Sequence, residues 1–349
     1  MNCLISTQLG LGNAVLFTSF IRTLKNIYPE STMTLYSPKK TPATDFLAYH
    51  PAVDIVRYDL EGIKTDVCFL PFLGYHARVL ETLFWKHKAK KIISHSLQSP
   101  HPVKHALKKA YMDINRLRGV RYVPFVQHQH EVWNYANLLT PLGVDPSLWH
   151  LAPDIPETVH TLASTHTPTI PEGRFLAVQC STTYGQVTPK AWPVAHWVSL
   201  LTAIVEKSDL KLVFLGASQE TAFIQTIMDK VGTRCFDYSG KTTVLELMGL
   251  LKKASGYIGA DSGTSHLAAA LGKKTVVLWG PSSWARCHPM GSNTHFINLG
   301  RACSPCIGTF KLTDAQAYSQ CRYEHRCMGD IMPRQVLEKL YTFGVLDVM

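Results

Sequence analysis

A chain of 349 residues exceeds what one ordinary hydrophobic core supports and fits two domains of ordinary size. Its 46% apolar and 17% charged residues exclude a disordered protein and favour a well-packed soluble one. No apolar run approaches the about 18 residues of a membrane span. The N-terminal segment also lacks the basic start and small-residue cleavage site of a signal peptide, so we expect a cytoplasmic protein.

Short apolar runs bounded by turn residues alternate with helical patterns in the first half of the chain. The predicted strands are "NCLIS", "MTLYS", "VDIVRY", "DVCFLPF" and "KKIISH". We expect a first helix from about Ala14 to Tyr28, where Pro29 ends it, and another from Glu131 to Leu142. Residues 97–129 between them are harder to interpret and are expected to be helix and loop.

Positive charge is concentrated in one stretch of this half. The net charge is +10, and eleven lysines and arginines from Arg78 to Arg121 stand against only Glu81 and Asp113. Such a stretch suits the phosphates of nucleic acid, of anionic lipid or of a phosphorylated glycan. A solvated basic helix surface is the alternative, and the sequence alone favours neither.

A proline-rich segment, residues 143–173, is the predicted linker, and we place the domains at 1–165 and 166–349. The predicted strands beyond it are "RFLAVQC", "KLVFLG", "TRCFDYSG", "GYIGA" and "TVVLWG". The helices predicted between them are 193–207, 219–231, 244–254 and 265–271, with a final helix at about 333–343. Alternating strands and helices in both halves predict an α/β protein with two doubly wound parallel sheets.

The segment "DSGTSHLAAALG" follows "GYIGA" and turns from a strand into a helix. The first N–H groups of that helix, from Ser262, Gly263 and Thr264, favour an anion, and His266 on the first turn adds a hydrogen-bonding group. The alternative is that Asp261 or Ser262 only caps the helix while His266 is a satisfied turn residue. An anion site is therefore predicted here without a named ligand.

Loops after the other predicted strands of this half add polar groups at the same sheet edge. They are "QCSTTYGQVTPKAWP" with Thr183 and Lys190, "LGASQE" with Glu220, and "YSGKTT" with Thr242. A lysine and free amides bind phosphates, while a carboxylate binds ribose hydroxyls. The combination therefore indicates a nucleoside diphosphate as the ligand.

Several of these segments resemble glycosyltransferase family 9, the ADP-heptose heptosyltransferases of lipopolysaccharide assembly. The resemblance is strong from Phe175 onward and rests on "ELMGLLKKASGYIGADSGTSHLAAALGKKTVVLWGP" and "KAWPVAHWVSLL". It is clear in "GLGNAVLFTSFIRTLKNIYPES" near the N-terminus and faint between. The cysteine-bearing "CSPC…CRYEHRCMGDIMPRQVLEKL" is similar to a C-terminal region found in part of the family.

The resemblance implies a GT-B fold, in which two Rossmann-like domains face each other across a cleft. It implies an inverting transfer of heptose from ADP-heptose, without a metal for catalysis, to lipopolysaccharide core or to a protein hydroxyl. Lys190 would meet the donor diphosphate and act in catalysis by stabilising the leaving group, while Glu220 would hold the ribose and Thr242 would lie near the base. The remaining donor-binding residues would be Thr183, Asp261, Ser262, Gly263 and His266. Phosphates of the lipopolysaccharide core, or contact with the anionic inner face of the membrane, would suit the basic stretch.

One position departs from the family's pattern. Where the family has an aspartate proposed as the base that deprotonates the acceptor, this chain has Asn13, in "LGLGNAV". An amide does not take a proton at neutral pH, so Asn13 is expected only to position the acceptor. Another residue is then the base, with Asp66, His76 and His95 as candidates, or the aspartate was replaced deliberately, or activity is lost.

Four cysteines cluster near the C-terminus, in the predicted loop 301–328. The spacing is C-x2-C, then fourteen residues, C, five residues and C, formed by Cys303, Cys306, Cys321 and Cys327. Four thiolates suit a tetrahedral zinc or iron, and four protein ligands leave no open position for chemistry. Reduced surface thiols or an adventitious disulfide are the alternatives, since the second pair is looser than in a standard zinc ribbon.

Three functions other than glycosyl transfer are also compatible with parts of the sequence. A nicotinamide enzyme is disfavoured because the loop at Gly10–Asn13 lacks a third glycine and no acidic residue follows the second strand. A nucleic-acid binder would explain the charge and the cysteines, but no basic-aromatic motif supports it. A non-catalytic sugar-nucleotide or glycan-binding relative is the stronger alternative, because of Asn13.

Overall fold

A computed structural model describes residues 1–71, 89–96, 102–181, 188–307 and 314–347. The chain forms two compact units, Met1–Val159 and His160–Met349. The division falls a few residues before the predicted boundary of 165/166, inside a helix that the sequence analysis assigned to the linker. We call these parts the first unit and the second unit.

The first unit is built on a six-stranded parallel sheet with the strand order β3-β2-β1-β4-β5-β6. Its strands are β1 (Asn2–Ser6), β2 (Thr32–Tyr36), β3 (Ile55–Arg57), β4 (Val67–Leu70), β5 (Lys91–His95) and β6 (Val120–Val123). Its described helices are α1 (Leu11–Ile27), α2 (Pro42–Ala48), α3 (Pro102–Leu117), α4 (Glu131–Asn137) and α5 (Glu157–Thr165), which continues into the second unit. Two short 3-10 turns cover Thr140–Leu142 and Pro146–Leu148.

Aromatic packing fixes α1 against this sheet. The ring of Phe17 stacks on that of Phe20 at 4.9 Å and meets the edge of Tyr135 from α4 at 5.0 Å. Phe20 in turn contacts Phe69 of β4 at 5.1 Å. All four rings are fully buried, so α1 is held on both the sheet side and the α4 side. The residues just before α1 are thereby fixed at the carboxyl end of β1.

The second unit repeats the plan with the strand order β12-β11-β10-β7-β8-β9, again all parallel. Its strands are β7 (Phe175–Gln179), β8 (Lys211–Phe214), β9 (Cys235–Asp237), β10 (Gly256–Ala260), β11 (Thr275–Leu278) and β12 (Thr294–Ile297). Its larger helices are α6 (Val194–Lys207), α7 (Thr221–Val231), α8 (Val244–Lys253) and α9 (Gly263–Ala270). The short helices α10 (Trp284–Cys287), α11 (Asp314–Ser319) and α12 (Arg326–Gly329) and the final helix α13 (Pro333–Thr342) follow.

The C-terminal segment completes the core of the second unit. Trp192 and Trp197 meet edge to face at 4.9 Å, and Nε1 of Trp192 donates to the carbonyl of Ile331 at 2.9 Å. Side chains of the segment pack into the same buried cluster as the sheet and α6. They are Met328, Ile331, Val336, Leu340, Val345 and Leu346. Residues far from the sheet in sequence are therefore part of its hydrophobic support.

The predicted fold class, two doubly wound parallel sheets, is confirmed, and the differences lie in its weakest signals. Edge strands β6 and β12 were not predicted, because β6 carries Arg121 and β12 is only partly buried, so neither has the apolar run of a central strand. The helix predicted for 131–142 ends at Asn137, before Pro141, which lacks the N–H that an α-helix needs. No helix in the described parts of the chain is long and apolar enough to cross a bilayer.

Candidate functional site

The carboxyl edge of the second sheet gathers the polar residues of this unit. Strand β7 pairs with β10 on one side and with β8 on the other, so strand order reverses at β7. Ligands of doubly wound sheets bind at such a reversal, beyond the carboxyl ends of the strands. The loops that follow β7, β8, β10 and β11 all begin at this edge of the sheet.

The centre of the site is the buried carboxylate of Asp261, directly after β10. Nζ of Lys190 lies 2.8 Å from its Oδ2, and the Lys190 side chain is 20% exposed. The hydroxyl of Ser282, after β11, donates to the same oxygen at 2.5 Å. Three loops that are distant in sequence therefore meet at one carboxylate.

Opposing effects act on the pKa of Asp261. Burial raises it, but the positive charge and hydrogen bond of Lys190, the hydroxyl of Ser282 and the nearby His266 outweigh burial and bring the pKa below its usual value. The group is therefore an anion near neutral pH. Its ion pair with Lys190 holds that ammonium at the carboxyl edge of the sheet.

The helix that follows has a capped start. Helix α9 has Ser262 as its N-cap, and Oγ of Ser262 accepts from the N–H of Ser265 at 3.4 Å, while the N–H of Ser262 donates to Oγ of Ser265 at 3.3 Å. The N–H groups of Gly263 and Thr264 have no hydrogen-bond partner within the described chain. Ser262 therefore caps the helix, and the N–H groups of the next two residues are available to an anion.

Two further residues shape the floor of the site. His266 is buried on the first turn of α9, close enough to Asp261 to influence its ionisation. The hydroxyl of Tyr257, inside β10, lies 3.3 Å from Oγ of Ser262. Gly259 leaves room for that hydroxyl, because a Cβ at this position would overlap it.

A second buried carboxylate, Glu220, stands after β8. Its Oε2 accepts from the N–H of Ala217 at 2.8 Å and from Nε2 of Gln179 at 3.3 Å. Its Oε1 is buried without a hydrogen-bond partner in the described part of the chain. Gly216 permits this folded-back position, since a Cβ there would come within 2.8 Å of Oε2. An unsatisfied buried carboxylate oxygen is costly, and a ligand's hydroxyl group could satisfy it.

Burial raises the pKa of Glu220 above its usual value, against the opposing effects of the Ala217 N–H and the Ser181 side chain. The Ser181 hydroxyl lies near the carboxylate without meeting hydrogen-bond geometry. Both Glu220 and Asp261 also act on Tyr257, whose pKa is raised chiefly by burial and further by these two carboxylates. The two acidic groups therefore belong to one continuous site.

The loop after β9 forms the outer end of the same edge. Thr242 is half-buried there, one residue before Thr243, whose side chain accepts from the N–H of Glu246 and caps α8. Gly240 has a φ of +66° and packs so closely on Ser218 that a Cβ would come within 2.7 Å of it. This brings Thr242 toward the loop that carries Glu220. Predicted residue Thr183 lies outside the described residues.

The structure thus brings together Lys190, Asp261, Ser262, Gly263 and His266, with Glu220 on the adjoining strand end. Gln179 and Ser282 were not predicted from the sequence. Gln179 was detectable as a polar residue at the end of a buried strand, and it bridges the Ser181 carbonyl at 3.2 Å to Glu220. Ser282 had no local signal beyond its place after β11.

In the first unit, Asn13 lies half-buried in the first turn of α1, at the carboxyl edge of that sheet. Asp66 precedes β4 and so lies at the opposite, amino edge, where Lys90 pairs with it at 2.8 Å. His95 is buried, and its two ring nitrogens face the carbonyls of Pro71 and Asn134, with burial lowering its pKa. Asp66 is therefore on the wrong edge to act as the base, both ring nitrogens of His95 already face carbonyls, and His76 lies outside the described residues.

The four C-terminal cysteines converge on one region. Burial, together with the nearby sulfurs of Cys306, Cys303 and Cys321, raises the pKa of the Cys327 thiol to about 11. The donor set of four thiols matches what zinc or iron takes. Among the described residues, however, no three His, Cys, Asp or Glu side chains are already spaced as ligands of one ion.

The cysteine region is joined to the loop that carries Ser282. The N–H groups of Cys306 and Ile307 donate to the carbonyl of Pro281, at 2.9 and 3.2 Å. Gly280 packs so closely that a Cβ there would come within 3.2 Å of Sγ of Cys327. The residue next to Pro281 is Ser282, so this region supports the backbone that orients the Asp261 partner.

Comparison with known proteins points to one family. The model of glycosyltransferase family 9 (heptosyltransferase) matches residues 97–315, more than half of the chain. Lipooligosaccharide heptosyltransferase 2 of Campylobacter jejuni is 24% identical over 154 residues, 43% of this chain and 45% of that protein. That alignment therefore spans less than half of the relative's length.

Solved structures resemble the whole chain. The E. coli ADP-heptose LPS heptosyltransferase II superposes with a TM-score of 0.71 at 18% identity, covering 98% of each chain. The dodecameric iron-containing heptosyltransferase TibC of enterotoxigenic E. coli, solved in complex with ADP-D-beta-D-heptose, has a TM-score of 0.62 at 15% identity. The superposition with TibC covers 98% of this chain and 76% of the TibC chain. At these identities the likeness concerns the fold, and it confirms the predicted GT-B class.

Proposed function

Because the chain belongs to glycosyltransferase family 9, we propose that it transfers a heptose from ADP-heptose to a hydroxyl group, with inversion at the anomeric carbon. The observation that supports this best is the joint placement of Lys190, the free amides of Gly263 and Thr264, and the unsatisfied Oε1 of Glu220. These are sites for a diphosphate and a ribose along one sheet edge. A nucleotide-activated sugar has both groups.

In the proposed reaction the acceptor oxygen attacks the anomeric carbon while the bond to the diphosphate oxygen breaks. The leaving group is ADP, and negative charge accumulates on its terminal phosphate. Lys190 and the start of α9 would stabilise that charge without a metal ion, because both are already oriented before the reaction begins. Asp261 holds Lys190 in place, which makes the stabilisation pre-organised.

Glu220 is proposed to bind the ribose hydroxyls. Its Oε1 has no partner in the described residues, and a ribose hydroxyl would satisfy it. Thr242, at the outer end of the edge, is proposed to lie near the base. The order phosphate, ribose, base then follows the order of the loops after β10, β8 and β9.

Asn13 is expected to limit the rate of the proposed transfer. It occupies the position of the family's base, at the first turn of α1, and its amide cannot accept the acceptor's proton. A slow enzyme is the expected result, in which the proton passes to solvent. The second candidate function, a sugar-nucleotide or glycan-binding protein without turnover, is favoured by this one residue.

The acceptor is proposed to be either the lipopolysaccharide core or a protein hydroxyl. Similarity to lipooligosaccharide and lipopolysaccharide heptosyltransferases supports the first, and the fold likeness to TibC is compatible with the second. The net charge of +10 suits an acceptor that carries phosphates. We place the reaction in the cytoplasm, at the inner face of the membrane, and infer no nucleic-acid partner.

A structural metal is a separate proposal. Cys303, Cys306, Cys321 and Cys327 are proposed to hold one zinc or iron ion, which would fix the C-terminal loop and take no part in the transfer. The effect of the other three sulfurs on the pKa of Cys327 indicates that the four thiols lie near one another, which supports the proposal. For coordination the sulfurs must move closer together. Bound metal would keep the thiols deprotonated and reverse the effect of burial on Cys327.

The test is calorimetric titration of the full chain with ADP-heptose, GDP-mannose, UDP-glucose and NAD, together with a transfer assay that detects released ADP. We expect ADP-heptose to bind most tightly, and the Lys190→Ala variant to bind it at least about tenfold more weakly. Lys207→Ala is the matched control, because Lys207 is an exposed lysine at the C-terminal end of α6, at the opposite edge of the sheet, and should not affect binding.

Each outcome is decisive for one part of the proposal. Preference for another sugar nucleotide would replace the heptose assignment and retain the reaction type. Tight ADP-heptose binding with no ADP release for any offered acceptor would favour the non-catalytic candidate. Absence of binding by all four compounds would overturn the proposed function.

A further inference from the structure

An exposed apolar face on α3 is not explained by the donor site. Four large apolar side chains of this helix face solvent: Val103 (63% exposed), Leu107 (67%), Ile114 (53%) and Leu117 (90%). At 3.6 residues per turn, their spacing places them within about 80° of the helix circumference. We call these four residues the apolar face of α3. Single exposed apolar residues are ordinary, but a continuous stripe along one helix indicates a binding surface.

The opposite side of α3 packs on its own unit. Met112 and Asn115 are buried, and Tyr111 packs against the cluster that includes Ile92 and Val120. The helix is therefore anchored by one side and presents the apolar face outward. Its exposure follows from the way the helix is docked and does not require any part of the chain to unfold.

Basic residues surround the apolar face. From residue 102 to residue 121 there are six lysines and arginines and a single acidic residue, Asp113. Lys109, Arg118 and Arg121 are exposed, and Arg116 is half-exposed although it pairs with Asp113 at 2.5 Å. Apolar side chains flanked by cations are the pattern of a helix that lies in the interface of an anionic bilayer.

The charge decides between a bilayer and a second copy of the chain. An isologous contact through this face would bring two sets of the same lysines and arginines together, and like charges oppose that contact. Anionic lipid headgroups neutralise them, at about 1 kcal/mol per lysine or arginine near the surface. The apolar residues and the positive charges of α3 thus both favour an anionic bilayer as the binding partner.

We propose that the apolar face of α3 docks the first unit onto anionic phospholipid. The proposal rests on the proposed function in one respect, the acceptor that membrane docking would serve. Helix α3 begins beyond the carboxyl end of β5, and Asn13 lies beyond the carboxyl end of β1 in the same parallel sheet. Docking through α3 therefore brings that edge of the first unit toward acceptors borne by the membrane.

The test is co-sedimentation of the full chain with vesicles of phosphatidylglycerol and phosphatidylethanolamine, compared with vesicles of phosphatidylcholine alone. We expect binding to the anionic vesicles only, weakened by added salt. Leu107→Gln and Ile114→Gln should each reduce vesicle binding about tenfold. Leu148→Gln is the matched control, since Leu148 is an equally exposed leucine of the same unit (58%) that lies outside α3.

Three results would overturn the proposal. They are absence of vesicle binding, an equal loss in the Leu148 variant, and self-association in sedimentation velocity that the α3 variants abolish. The last would identify a second copy of the chain as the occupant. Calorimetric binding of ADP-heptose by the same variants separates this test from that of the proposed function, because α3 is remote in sequence from every donor-site residue and donor affinity should be unchanged.

Discussion

The hydroxyl of Ser282 donates a 2.5 Å hydrogen bond to Oδ2 of Asp261, the oxygen that also pairs with Lys190. Ser282→Ala removes a donor from a buried carboxylate, so the pKa of Asp261 should rise and Lys190 should be held less firmly. We expect donor affinity to fall about tenfold. The acid limb of the pH dependence of binding should move to higher pH.

The adjacent Ser283 provides the control for this variant, because its side chain caps nothing at the start of α10. Ser283→Ala should bind the donor normally, and Ser282→Thr should restore much of the loss. Equal effects of the two alanine variants would show that Ser282 acts only through the loop backbone.

Glu220 is expected to lower the free energy of unfolding of the protein while contributing to donor binding. Its pKa is raised in the folded state, so ionisation opposes folding: the penalty is absent below the ordinary value of 4.5, grows as the pH rises from there to the higher folded value, and is constant above it. Glu220→Gln should therefore have a higher free energy of unfolding than the native chain at pH 7, with the difference vanishing toward pH 4. Urea unfolding across this pH range measures it.

The same variant should bind ADP-heptose more weakly, because a neutral amide is a poorer acceptor for ribose hydroxyls. Unchanged affinity would contradict the ribose role, whatever the stability result.

Asn13→Asp is expected to raise the transfer rate. The new carboxylate would accept the acceptor's proton, and general bases contribute about 10²–10⁴-fold. It would also place an acidic group in the first turn of α1, which has none, and so stabilise that helix by about 0.5 kcal/mol. Released ADP measured under saturating donor tests the rate.

Asn13→Ala is the companion variant. If Asn13 positions the acceptor, alanine should lower the residual rate further. A rate for Asn13→Asp equal to the native one would indicate that this position does not limit transfer.

Gly259→Ala should disturb the site from beneath. The added methyl group overlaps the Tyr257 hydroxyl, which contacts the cap residue Ser262. We expect a loss of about 1–3 kcal/mol in unfolding free energy and weaker donor binding. Gly329→Ala, where a Cβ meets nothing within 4 Å, is the control. Adding Tyr257→Phe to Gly259→Ala should recover part of the stability, and purely additive losses would argue against the overlap.

Metal content of the purified chain tests the cysteine proposal. We expect about one equivalent of zinc or iron by elemental analysis, lost in Cys303→Ser and Cys321→Ser and accompanied by a lower melting temperature. Cys287→Ser is the control, since Cys287 lies outside the four-cysteine group and its thiol donates to the Ser283 carbonyl. Metal retained in all the variants would place it elsewhere.

The central strands were predictable because burial on both faces makes them continuous apolar runs, as in "GYIGA", which coincides with β10. The start of α9 was predictable because Ser262 caps it. Contacts between distant residues left no such pattern. Nothing near Ser282 in sequence indicates Asp261, and the orientation of Glu220 depends on Gly216 and Gln179 from other loops. Local chemistry thus predicted which residues are polar, but not which of them meet.

Packing of the C-terminal segment has a consequence for synthesis of the chain. The first unit is complete by Val159, whereas Met328, Ile331 and Leu340 fill the interior of the second unit beside Trp192. A ribosome releases these side chains after all the strands of the second sheet. The first unit can therefore fold while translation continues. The sheet of the second unit keeps part of its apolar surface exposed to solvent until the C-terminal segment has been synthesised. Chaperone dependence of the nascent protein should thus arise in the second half of its sequence.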